Sequence, residues 1–194
     1  MNFSAISTTQ VVIILAVIVL AAAGIATLLY LQKRRTEKLR TQFGTAEYTR
    51  AIKEGGGRRQ AEAALDQRAD RVDNLNIRTL APADRARFVD SWASVQSRFV
   101  DGPGGAVTDA DQLLGDVMST RGYPMSDFEQ RAADISVDHP LVLDNYRAAH
   151  HIAVRQKQGQ ASTEDLRQAM IHFRTLFEEL VGEPEIARAK AASS

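Results

Sequence analysis

Four histidines, His139, His150, His151 and His172, are the side chains in this sequence best suited to acid–base or metal chemistry near neutral pH. Their spacing argues against a shared site. His150 and His151 are adjacent, so on a helix they point to different faces. A helical metal site wants His or carboxylate pairs at i, i+3 or i, i+4. His139 lies between Asp138 and Pro140 and reads as capping or loop polarity. His172, between Ile171 and Phe173, reads as boundary packing. "DADQ" at 109–112 starts like a calcium loop but lacks the required Gly and terminal Glu, so it reads as a solvated helix face. "DGPGG" at 101–105 offers backbone N–H groups to an anion. Asp101 is adjacent, however, and no basic residue follows for many positions, so a loop and helix start is the better reading. There is no G-x-x-x-x-G-K-[ST], G-x-S-x-G or H-E-x-x-H motif. The sequence has no cysteine, which excludes disulfides, thiolate catalysis and Cys-ligated metal sites. The expectation is a chain without catalytic residues, cofactor or metal.

The concentrated chemistry is electrostatic. Residues 1–32 carry no charged side chain, and then Lys33, Arg34, Arg35, Lys38 and Arg40 stand against the single acid Glu37. The formal net charge of the chain is zero, so these six charged residues leave the remainder at −4. A mildly acidic remainder is a poor general binder of nucleic acid, and none is expected as a partner.

The basic cluster follows "VVIILAVIVLAAAGIATLLYL", residues 11–31, which has no charge and thirteen Val, Ile or Leu residues. As a helix this run spans roughly 30 Å, the thickness of a bilayer's hydrocarbon core. A cleaved signal peptide would want basic residues before a shorter apolar run, whereas "MNFSAISTTQ" has none. Basic flanks tend to stay cytoplasmic, so the expected topology is N-terminus out, with residues 33–194 on the cytoplasmic side of the inner membrane. The five basic residues are read first as a topology signal facing the lipid bilayer. A lipid-specific site is the secondary reading, resting on charge alone.

The elements around these features read as helices. Residues 33–53 form a charged stalk, broken by "GGG" at 55–57, before a second helix over 58–76. Ala61, Leu65, Arg68, Val72 and Leu75 make a short heptad seam containing an arginine. Its preferred use is packing on the chain's own domain, with weak self-association through the stalk as the alternative. From residue 81 the apolar faces become stronger. Pro82 and Asp84 open a helix that carries Phe88, Trp92, Val95 and Phe99 on one face. The next has Val107, Ala110, Leu114, Val117 and Met118. "RGYP" at 121–124 is a turn, "SDFE" at 126–129 fits a capping box, and Asp138 fits an N-cap before Pro140. Leu143, Tyr146, Ala149 and Ala153 continue that helix to Gly159. A Ser or Thr cap at 162–163 starts the last helix, which buries Leu166, Phe173, Phe177 and Leu180 and stops at Gly182.

The expected fold is all-α. It comprises a short segment (1–10), a single transmembrane helix (11–31), a basic juxtamembrane and helical stalk (32–80), an antiparallel bundle of about four to five helices (81–182) and a flexible tail (183–194). Trp92, the single tryptophan, is a core anchor by default and a partner anchor as the alternative.

Three stretches, "FGTAEYTRAI" (43–52), "RGYPMSDFEQRAADISVDHPLVLDNYRAAH" (121–150) and "STEDLRQAMIHFRTLFEELVG" (162–182), resemble a group of uncharacterised bacterial single-span membrane proteins with a helical C-terminal domain. Where that group has Gly-Pro, this chain has Gly44-Thr45. The resemblance implies the same architecture and carries over no site residue. The functional expectation is a membrane-tethered helical module that docks a protein partner. An extracytoplasmic envelope accessory is one alternative. A small-ligand binder or enzyme with a bundle pocket using Tyr123, Tyr146 or His150 is the other.

Overall fold

In the computed structural model, residues 8–182 are described, with side chains from residue 14 onward. Most of the short N-terminal segment and all of the 183–194 tail therefore lie outside the described residues. Among these there are seven α-helices, one 3-10 turn and no strand. The helices are α1 (Thr8–Glu54), α2 (Arg58–Asp73), α3 (Pro82–Arg98), α4 (Pro103–Arg121), α5 (Phe128–Asp138), α6 (Leu143–Lys157) and α7 (Thr163–Val181). The 3-10 turn, Pro140–Val142, joins α5 to α6. The all-helical expectation holds.

Local chemistry fixes most boundaries. Pro82 and Pro103 sit in the first turns of α3 and α4, where a missing N–H costs no hydrogen bond. Gly122 caps α4 in the left-handed region at φ 99°. A Cβ there would lie 2.4 Å from the Asn76 carbonyl oxygen, so that close approach also demands glycine. Ser162 and Asp165 form a reciprocal capping box on α7.

Two caps differ from expectation. Asp127, rather than Ser126, caps α5 by accepting from the Gln130 N–H at 2.9 Å. A carboxylate is the stronger acceptor for a helix N-terminus. Asp138 ends α5 instead of starting the next helix, and its Oδ2 accepts from the Tyr123 hydroxyl at 3.2 Å.

The larger difference is in α1. Gly44, at φ 73° and ψ 163°, is non-helical, so α1 is two helices meeting at a sharp break rather than one stalk. The break lets Leu39 and Phe43 before it and Tyr48 and Ala51 after it share one apolar cluster. Ala61, Leu65 and Val72 of α2 and Val137 of α5 complete that cluster. The stretch read as a stalk is thus a folded part of the body from Leu39 onward. The heptad seam of α2 is used inside the chain, with Arg68 paired to Glu47.

The second cluster is built from α3 to α7, and α7 lies against both α4 and α6. Phe173, Leu176, Val107 and Val117 are fully enclosed in it. Ile77 packs against both clusters, on the segment between α2 and α3.

Phe173→Ala is expected to cost about 3–5 kcal/mol, because the ring is wholly buried and its neighbours cannot fill the space. Urea denaturation followed by the fluorescence of Trp92, which stacks on Phe177 at 4.8 Å, measures this. A loss under about 0.5 kcal/mol, the range of an ordinary surface substitution, would contradict the packing described.

Candidate functional site

The apolar run of α1 is bare. Ile14, Leu20 and Leu28 are 53%, 71% and 62% exposed, and no part of the described chain covers them. By length and composition this helix can cross a membrane. Lys33, Arg34, Arg35, Lys38 and Arg40 come after it on the same helix, all exposed. Lys33 lies 3.9 Å from Glu37, and Arg34 sits over the Tyr30 ring at 4.9 Å. Arg35 reaches across to Asp66 on α2.

That contact depends on a chain reversal. The break at Gly44 and the glycine turn at 55–57 return the first turn of α2 to the side of the basic collar. Arg58 donates to Thr36 Oγ1 at 2.6 Å and to Glu62 Oε1 at 3.0 Å. Thr36 and Tyr48 hydroxyls donate to the same Glu62 oxygen, at 2.8 and 2.7 Å. Burial pushes the Glu62 pKa up, but these three donors outweigh it and hold the carboxyl below its ordinary value. Burial and the facing Glu62 raise the Tyr48 phenol.

Below the collar, Glu47 is buried, with its side chain 4% exposed. Arg68 of α2 donates to it at 2.8 Å and Arg147 of α6 at 2.5 Å. Burial raises its pKa, yet the Arg147 and Arg68 guanidiniums more than offset that and leave it lowered. A second tie runs from Arg71 of α2 to the enclosed Asp134 of α5 at 3.2 Å, with Gln130 also donating to Asp134.

The histidines occupy separate surroundings. His139 is enclosed between Arg121 and Glu179. An arginine only donates, so Arg121 Nη1 at 3.2 Å makes His139 Nε2 an acceptor. The proton then lies on Nδ1, which donates to Glu179 Oε1 at 2.8 Å. The ring is neutral in this geometry, and the contact with Glu179 is a hydrogen bond rather than an ion pair. Arg121 also donates to the carbonyls of Leu180 and Arg78, at 3.1 and 3.3 Å, and so gathers four chain segments. His150 stacks on Phe128 at 3.6 Å, while His151 is exposed. His172 Nδ1 donates to Asn145 Oδ1 at 2.7 Å.

Tyr123 and Tyr146 are buried, which raises both phenol pKa values. Trp92 is 6% exposed and stacked on Phe177, so its ring belongs to the core and is not available to anchor a partner.

Two of the hollows on the surface of the described residues bear on function. One of about 630 Å³ lies between the collar and the start of α2. The other, about 460 Å³, lies between the α3 start and the α7 end and includes Leu80, Val89, Val181, Arg85 and Asp90. No family model matches the chain, and no curated protein or solved structure matches it either.

The buried polar groups can be tested by substitution. Glu47→Ala leaves Arg147 enclosed without its partner and is expected to cost about 3–5 kcal/mol in urea denaturation. A loss under about 1 kcal/mol, typical of a surface pair, would show that the clamp does not hold the hairpin.

They also set a dependence on pH. Burial lowers the His139 pKa, Arg121 adds to that, and Glu179 opposes it in part. Burial also lowers His150. The unfolded chain then binds more protons than the folded one once pH falls below the ordinary histidine value of about 6.5. Stability is expected to fall between pH 7.5 and roughly pH 5.5, before carboxylates contribute. His139→Gln, which can accept from Arg121 and donate to Glu179, is expected to flatten that fall, leaving the share due to His150. An unchanged pH slope in this variant would contradict the assignment.

Proposed function

We propose that the protein is a membrane-tethered helical interaction module. Its N-terminal helix spans the inner membrane with the N-terminus outside, and its helical body docks a protein partner at the cytoplasmic face. The observation that carries this reading is the uncovered apolar length of α1 ending at a one-sided basic collar. An apolar helix of that length left in water would associate or aggregate, whereas a bilayer satisfies it. Basic residues on the C-terminal flank of the span favour a cytoplasmic location for the helical body.

The docking part of the reading is supported by the hollow beside α3. Leu80, Val89 and Val181 give it apolar surface, and Arg85 and Asp90 give it charge of both signs. Val89 is 47% exposed there. An apolar centre with a charged rim is the composition of a protein interface.

C-terminal fusions test the topology. A fluorescent fusion is expected to be bright and an alkaline phosphatase fusion inactive; the reverse pattern would overturn the cytoplasmic assignment. A photo-crosslinking residue at Val89 is expected to give one discrete adduct in cells, while the same residue at exposed Lys157 gives none. Identical patterns at the two positions would remove the support for docking at this hollow.

A further inference from the structure

We propose that the hollow between α1 and the start of α2 binds the phosphate of an anionic lipid headgroup, in the leaflet from which residues 33–182 emerge. The inference rests on the membrane-spanning reading of α1. The hollow measures about 630 Å³, and Lys33, Arg35, Arg58 and Arg59 line it together with the single acid Glu62 and the apolar Leu29.

Position supports a lipid. Leu29 lies in the final turn of the apolar run, one turn before Lys33, so the cationic wall begins within about 6 Å of the apolar boundary. Lipid phosphates sit at that depth. Leu29 is 61% exposed and offers apolar surface to the start of an acyl chain, while the cations lie on the headgroup side.

Preorganisation supports a site rather than a diffuse charged surface. Asp66 holds Arg35, and Thr36 with Glu62 holds Arg58. The Glu62 carboxylate is already engaged by Thr36, Tyr48 and Arg58, which reduces its repulsion of an anion. Arg59 has no hydrogen-bond or ion-pair partner among the described residues. Its planar fork suits two phosphate oxygens. Arg58 and Arg59 come from the far side of the Gly44 break, so four cations from two helices converge where the sequence shows a collar on one helix. The chemistry fits a phosphodiester without a compensating headgroup cation, such as phosphatidylglycerol, over phosphatidylcholine. Free phosphate shares the charge but makes no use of Leu29.

Native mass spectrometry of the full chain in detergent, titrated separately with phosphatidylglycerol, phosphatidylcholine and inorganic phosphate, tests the site. Phosphatidylglycerol is expected to be retained over phosphatidylcholine, and phosphate to compete weakly. Arg59→Gln is expected to weaken phosphatidylglycerol retention about fivefold, and Arg58→Gln/Arg59→Gln about twenty-five-fold. Arg174→Gln, on α7, is expected to change nothing. Circular dichroism checks that each variant is folded; Arg59→Gln breaks no contact and keeps the test valid should the double variant unfold. Equal binding of the two lipids, or undiminished retention by Arg59→Gln, overturns the site. Phosphate binding as tight as that of phosphatidylglycerol overturns the lipid assignment. Carbonate extraction of cell membranes separates the two readings. Release of the chain overturns the membrane span, whereas a retained chain with lipid binding indifferent to Arg59 overturns the headgroup site alone.

Discussion

One carboxylate enclosed between two guanidiniums joins the two halves of this molecule. Glu47 stands on the short helix after the Gly44 break and receives Arg68 from the neighbouring helix and Arg147 from the body. An unpaired charge at that depth is costly, and each arginine alone leaves part of the carboxylate unsatisfied. The geometry therefore holds only when α1, α2 and α6 are in place together. Apolar burial supplies most of the driving force for the contact, through Leu39, Phe43, Leu65 and Val137. It is non-directional, so the charge triad and the Arg71–Asp134 pair select which arrangement of those faces is adopted.

A second polar knot fixes the segment between α2 and α3. Arg121 reaches His139, the Leu180 carbonyl and the Arg78 carbonyl, while the Arg78 N–H donates back to the Arg121 carbonyl at 2.8 Å. The segment between α2 and α3 has no regular structure of its own, and these bonds satisfy part of its backbone. The close approach of Gly122 to Asn76 belongs to the same junction. Thus the connection is fixed by residues about forty positions further along the chain.

Local signals in the sequence were readable where one element decides the outcome. Pro82, Pro103, Gly122, Ser162 and Gly182 mark helix ends through backbone chemistry that needs no tertiary partner. The apolar faces of α3, α4, α6 and α7 follow helical periodicity and are buried as that periodicity implies. Legibility failed where distant segments choose among local options. Gly44 lies inside a helical pattern, where a lone glycine is tolerated as readily as it breaks the chain, and the cluster around Phe43 decides it. The same break brings Arg58 and Arg59 to the collar. No spacing within the sequence encodes that meeting, since it depends on the reversal and on the fit of Ala61 and Leu65 against α1. Asp138 carried a capping signature, but enclosure of the neighbouring His139 in the Arg121 network set the junction instead.

Continuity of α1 determines how the body is held. No loop separates the apolar run from the first cluster: the helix continues from Leu31 to buried Leu39, a rise of about 12 Å. Flexible linkers let a tethered domain explore a volume that grows with their length. A helix that passes directly into a packed core permits no such search. The contacts of Arg35 with Asp66 and of Thr36 with Glu62 brace this stretch against α2, so bending at the collar would break them. On the membrane-spanning reading, the body is then held at a set height with the α2 start against the boundary. The mobility that remains is rotation and tilt of the whole unit. Under the docking proposal, a partner would meet one orientation of the hollow beside α3, and the entropy of ordering a loose tether would already have been removed by the fold.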